Sequence, residues 1–201
     1  MPVVLPKPTR ETEIEIRELS WDKDMKPAAG GKSQRQSRLG TRHAIRFDIP
    51  VLRYGWCGAG LAADLAVGRT GTGAVIAIPE PGIPDYDYGN EVLVDGGGQL
   101  GKNIALKGLT PDLIVPKGKW LSLTADGRFY AHFTTAVTQV DGLGNAVLPI
   151  YPMIRRSPFT EVEVYIRTAY IQGLISEPVS RKLRRAGGGV VALSFEIEEQ
   201  E

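Results

Sequence analysis

Val92-Leu-Val-Asp-Gly-Gly-Gly-Gln-Leu-Gly-Lys-Asn-Ile-Ala-Leu106, followed by Val115-Pro-Lys-Gly-Lys-Trp-Leu-Ser-Leu123, decides how this chain is read. Short apolar runs here are cut by glycine and proline at intervals too brief for helices, which is how strands joined by tight turns look. The pattern continues downstream. Arg128–Val137 puts Phe129, Ala131, Phe133, Thr135 and Val137 at alternate positions. Asp141-Gly-Leu-Gly-Asn145 supplies residues that tolerate the positive φ of a tight turn, and Ala146–Ile150 is the return strand. Glu91–Val94 and Lys102–Leu106 are two further strands. Pro84 and Pro152 bracket the unit, so residues 85–154 read as an inserted, small β-barrel-like domain.

Outside this insert the alternation persists. Thr12–Arg17 sets Ile14 and Ile16 against Glu13, Glu15 and Arg17. His43–Ile49 turns Ile45, Phe47 and Ile49 inward and Arg46 and Asp48 outward. Ala74–Ile78 is a short apolar strand before the Pro79–Pro84 exit. Glu161–Arg167 buries Val162, Val164 and Ile166, and Val190–Glu198 buries Val191, Leu193, Phe195 and Ile197. The single good helix is Gly60–Arg69, with Leu61 and Leu65 one turn apart and Gly71 and Gly73 to stop it; Trp56 packs just before it. About ten strands against one helix define a β-dominated α+β fold. Residues 11–84 and 155–201 have too few strands apiece for a core, so they pair into one β-sandwich-like belt domain carrying the insert. Residues 1–10, with three prolines, read as an extended arm. Residues 22–42, with Lys23, Lys26, Lys32, Arg35, Arg38 and Arg42, read as a solvated loop; the sharper reading is a loop that orders against a neighbouring subunit.

Bulk properties narrow the function classes. The 201 residues balance 24 Lys and Arg against 23 Asp and Glu, for a net charge of +1, which speaks against nucleic-acid or anionic-membrane binding through a uniform field. One cysteine, Cys57, precludes an intrachain disulfide and fits a reducing compartment. No apolar run reaches the roughly 20 residues of a membrane span, and no signal-peptide pattern opens the chain. A soluble product made inside the cell is expected.

Several motifs suggest chemistry and fail on inspection. Gly96-Gly-Gly-Gln-Leu-Gly101-Lys102-Asn103 nearly spells a phosphate-binding loop, but Asn103 replaces the hydroxyl that ligates Mg²⁺, and a strand follows where a helix is required. His43 and His132 lie in strands without partners at metal spacing; His132 is placed on the exposed side of its strand. Cys57, in Trp56-Cys-Gly-Ala-Gly, has no catalytic context. Asp85 and Asp87 read as solvated charges on a loop, the sharper alternative being that Asp85-Tyr-Asp-Tyr88 holds a hard cation, and Glu196-Ile-Glu-Glu199 reads as solvated charge on a strand's outer face. Arg181-Lys-Leu-Arg-Arg185 reads as a mobile basic loop, which in an assembly would line a lumen or dock on an acidic neighbour. No nucleophile, base and oxyanion donor come together, so the expectation is no enzyme, no catalytic or metal residues and no cofactor.

Val92 to Asn103, Gly108-Leu-Thr-Pro, Pro116-Lys-Gly-Lys-Trp-Leu-Ser-Leu, Asp141 to Arg155 and Val191-Ala-Leu-Ser-Phe-Glu-Ile together resemble tail proteins of long-tailed phages and prophages. The resemblance covers about three quarters of the chain and is to the distal-tail, or minor tail, type. It implies a structural virion component at the tail tip, assembled in the host cytoplasm as a homo-oligomeric ring, with a hexamer expected. The implied partners are further copies of the chain, the tail tube protein and the baseplate hub protein, with no nucleic-acid or membrane partner. Distal tail proteins often carry a galectin-like extra domain, and this insert is shorter and richer in glycine. The alternative function is a tail-associated binding module that recognises a host glycan or another tail protein, with Trp120, Tyr86 or Tyr88 as aromatic platform; Trp120 reads equally as core.

Overall fold

A computed structural model describes residues 1–9, 11–26, 30–36, 40–50, 52–53, 56–176, 179–184 and 189–200. In chain order the elements are β1 (Val3–Val4), β2 (Glu13–Leu19), β3 (Lys23–Met25), β4 (Gln34–Gln36), β5 (Arg42–Ile49), β6 (Leu52–Arg53), helix α1 (Trp56–Val67) and β7 (Ala74–Ala77). They continue with β8 (Leu93–Val94), β9 (Gly101–Lys107), β10 (Ile114–Val115), β11 (Trp120–Ala125), β12 (Arg128–Thr134), β13 (Thr138–Gln139) and β14 (Ala146–Ile154). The last are β15 (Val164–Tyr165), β16 (Tyr170–Ile175), β17 (Ser180–Arg184) and β18 (Gly189–Glu199). The fold is β-dominated α+β with one α-helix among the described residues, as the periodicity implies.

Eight strands form the larger sheet, in the order β1-β7-β16-β18-β5-β2, with β6 and β17 also on β18. N-terminal and C-terminal strands thus interleave: β18 pairs with β5 from Leu193↔Ile49 to Glu198↔Ala44. Alternation decides which side is buried. Ile45, Phe47, Leu193, Phe195 and Ile197 face the same core, where the Phe47 and Phe195 rings stack at 5.3 Å. Leu61 and Leu65, one turn apart on α1, cover that core, and the alanines between them keep the helix slim. After α1, Gly73 takes φ +72 with its α-carbon so near the Gly173 carbonyl that a Cβ would stand 2.7 Å from it. Glycine is required there by both backbone and space.

The smaller sheet has the order β15-β11-β12-β14-β9-β8. It nearly closes, because β8 bonds back to the segment before β15: Val94 N donates to Val162 O at 3.0 Å, and Val164 N to Val92 O at 2.8 Å. Closure leaves little exposed edge. Strict alternation along β14 sends Ala146, Leu148, Ile150 and Ile154 into the barrel core beside Ile104, Leu106, Leu121 and Leu123.

Several sequence expectations change. The strand expected at 161–167 in the belt is β15, which pairs with β11 and sends Val164 and Ile166 into the barrel core. The barrel sheet therefore runs past residue 154. The arm expected at 1–10 is docked at its start: β1 lies parallel to β7, and Leu5, 4% exposed, donates from its N to Val75 O at 2.8 Å. Residues 22–42 are not simply a loop, since β3 and β4 pair as a hairpin. Of the basic run at 181–185, Arg181 to Arg184 belong to β17, paired antiparallel with β18, and Arg185 lies outside the described residues. Strand β16 had no counterpart in the sequence reading.

Candidate functional site

The densest network of buried polar side chains among the described residues lies at the seam between the large sheet and the barrel. Glu199 ends β18, is 1% exposed, and accepts hydrogen bonds from Ala131 N on β12 at 2.8 Å and from Arg155 Nη2 at 2.8 Å. The His43 backbone N reaches the same carboxylate at 3.4 Å. Arg155 follows β14 directly and stands over the Tyr130 ring at 5.7 Å. One carboxylate therefore ties β5, β12, β18 and the end of β14 together.

A second tie sits at the domain exit. Glu80 accepts from Trp120 N at 2.7 Å and pairs with Lys119, itself 3% exposed and 5.0 Å from the Tyr88 ring centroid. A third is reciprocal. Ser122 Oγ donates to Tyr170 O at 2.7 Å and accepts from Tyr170 N at 2.6 Å, while Gln172 Oε1 accepts from Phe129 N at 3.1 Å. These bonds substitute for strand pairing where the two sheets meet, giving the Tyr170, Trp120 and Phe129 backbone groups partners there.

Two buried histidines lie at this seam, on opposite faces of β12. His43, wholly buried, packs its ring 4.9 Å from Trp120 and 5.9 Å from Phe133, and neither ring nitrogen has a hydrogen-bond partner among the described residues. His132 is 2% exposed and donates from Nδ1 to Pro152 O at 2.7 Å. Burial, reinforced by His132 and Arg155, lowers the His43 pKa to about 3. Burial lowers that of His132 to about 4 against the raising effect of the Pro152 carbonyl. Both rings are therefore neutral near pH 7. Burial raises the pKa values of Glu199 and Glu80 while Arg155 and Lys119 oppose it, and it pushes Tyr88 up to about 12. Chemically this is a brace. Its carboxylates are saturated with donors and its imidazoles are shut away from solvent.

The remaining candidates are placed as follows. His132 lies on a buried face, not an exposed one, because β12 has the barrel core on one side and the large sheet on the other: Ala131 belongs to the core of the large sheet. Glu196 and Glu199 are not solvated; they are 3% and 1% exposed and held by Arg17 and Arg155. Residues 96–103 form a turn running into β9, with no helix to receive a phosphate. Gln99 fills this turn, donating from Nε2 to Asp95 O and Gly96 O at 2.7 and 2.9 Å and accepting from Ala105 N at 2.7 Å. Asp87 Oδ1 caps Gly89 N at 3.2 Å, and Asp85 is exposed. Among the described residues no group of three His, Cys, Asp or Glu is placed to hold a metal ion. Trp56 and Cys57 open α1, and their side chains lie outside the described residues. Of the aromatic platform, Tyr88 is 1% exposed and Trp120 is packed against the large-sheet core, leaving Tyr86 on the surface.

The brace itself escaped the sequence reading, although a signal existed. Glu199 shares the parity of Leu193, Phe195 and Ile197, and His43 that of Ile45 and Phe47, so the period of two already turned both inward. Glu80 and Lys119 carried no such signal, being brought together only by the fold. A scan against protein-family models finds no match for the chain, and a search of curated proteins finds none either.

Proposed function

We propose that this chain is a structural component of a phage tail tip, a distal-tail protein that forms a ring, with hexamer the expected order, joining tail tube to baseplate hub. The observation that supports this best is a division of labour in the molecule. The barrel is nearly closed and held to the large sheet by buried ion pairs, while the large sheet keeps an outer strand, β2, paired on one side only among the described residues. An exposed sheet edge is a template for another chain, and cyclic assembly covers it. The resemblance to tail proteins agrees with that layout, and the braced seam suits a part that transmits force without hinging.

Antibody labelling of phage particles, or induced prophage particles, that encode this chain tests the reading. Label confined to the tail tip is the expected result. Label on heads or none on purified tails, with the protein recovered only free, refutes it.

A further inference from the structure

Strands β2 and β5 pair down to Leu19↔Arg42, and two to five residues would suffice to turn the chain there. Instead residues 20–41 intervene, and their described part forms the β3–β4 hairpin, registered Lys23↔Gln36 to Met25↔Gln34. Every residue of both strands is exposed, and they pair with no other strand among the described residues. An isolated two-stranded hairpin is marginal in water, so one this exposed asks for a covering surface. Trp21 and Met25, each 56% exposed, give it apolar contact area. Arg35 is held by Asp22 and Asp24 at 3.8 and 3.5 Å; with Lys23, Lys26 and Lys32 the described hairpin residues set four cations against two carboxylates, a net positive charge carried by the lysines.

The open edge of the same sheet has the opposite sign. By register, Glu13, Glu15 and Arg17 on β2 share a face with Arg42, Arg46 and Asp48 on β5 and with Glu196 and Glu198 on β18. Arg17 holds Glu196, Arg42 holds Glu198 at 2.8 Å, and Arg46 holds Asp48 at 3.1 Å. Glu13 and Glu15, both exposed and on the outermost strand, are the carboxylates in excess.

We propose that the β3–β4 hairpin of one copy docks along the β2 edge of the next, with Lys23, Lys26 and Lys32 against Glu13 and Glu15. Strand addition to an open edge supplies backbone hydrogen bonds, and the charges set partner and direction. Such a contact is head-to-tail, each copy offering a hairpin on one side and an edge on the other, which generates a ring when the rotation closes. This inference rests on the homo-oligomeric reading above and names the surfaces that carry it.

The test uses the full chain, sized by light scattering across a dilution series, with circular dichroism to establish that each variant is folded. A hairpin variant carries Lys23→Glu, Lys26→Glu and Lys32→Glu; an edge variant carries Glu13→Lys and Glu15→Lys. Each is expected to raise the assembly midpoint concentration by about tenfold or more, and the chain carrying all five substitutions is expected to recover it. An equimolar mixture of the two variants is expected to recover assembly as alternating copies, since the hairpin of each variant is then opposite in charge to the edge of the other. Oligomers unchanged in both variants, or lost in both and not recovered in the combined chain, overturn the hairpin–edge contact while leaving the ring. A monomeric unsubstituted chain overturns the ring reading and this contact together.

Discussion

His43→Phe isolates the electrostatic consequence of the braced seam. The side chain sits among Trp120, Phe133, His132, Arg155 and Glu199 with neither ring nitrogen bonded among the described residues. In the unfolded chain His43 titrates near its ordinary 6.5, whereas burial holds it at about 3 in the folded protein. Below pH 6.5 the unfolded state therefore binds the extra proton, and stability falls with pH until the folded pKa is reached. At pH 5 the gap amounts to about 1.5 pH units of unfavourable protonation, or about 2 kcal/mol for His43, with a similar loss from His132. Glu199 and Glu80, whose pKa values are raised, take up protons in the folded state and offset part of this equally in both proteins. The difference between the proteins is then the His43 contribution alone. Urea unfolding at pH 8 and pH 5 measures it. We expect the variant to match or exceed the parent at pH 8, since it removes two unsatisfied nitrogens, and to gain a further ~2 kcal/mol over it at pH 5. Equal pH dependence in the two proteins would refute the placement of a neutral, unbonded histidine in the seam.

Other outcomes follow from the same geometry. Arg155→Leu strands the Glu199 carboxylate and should cost about 3–5 kcal/mol in urea unfolding, with Arg155→Leu combined with Glu199→Leu recovering most of it. Gly108→Ala should lower stability by at least about 2 kcal/mol, because φ is +81 and a Cβ would stand 2.1 Å from the Glu91 carbonyl oxygen; a thermal melt reads it. Gln99→Ala leaves the Ala105 amide without its acceptor and should cost about 1–3 kcal/mol, seen also as faster amide exchange at Ala105. Phe47→Ala opens the stacked Phe47–Phe195 core at a cost of about 3–5 kcal/mol.

Legibility in the sequence followed how local the cause was. Strands β5, β14 and β18 and the helix core Leu61/Leu65 could be read because one face of each meets a single core and the period of two or 3.6 shows directly, while β7, buried at every position, could be read from its unbroken apolar run. Strand β12 misled, since Tyr130, His132 and Thr134 face one buried layer and Ala131 another; alternation cannot mark an outside that does not exist. Strand β16 was missed for a related reason: Gly173 interrupts its apolar run, being pressed against the Glu198 carbonyl where no side chain fits. The short β15 read as a strand but gave no hint of its sheet, because partner choice depends on how the barrel closes. Glu196 and Glu199 show the limit most sharply. Their charge suggested solvent, and only the arrival of Arg17 and Arg155 from distant positions makes their burial tolerable.

Native mass measurement of the full purified chain tests the central claim most directly. The account predicts one closed oligomer of fixed copy number, persistent on dilution and seen as rings by negative-stain microscopy. A monodisperse monomer across the accessible concentration range, with no association to tails, would contradict it.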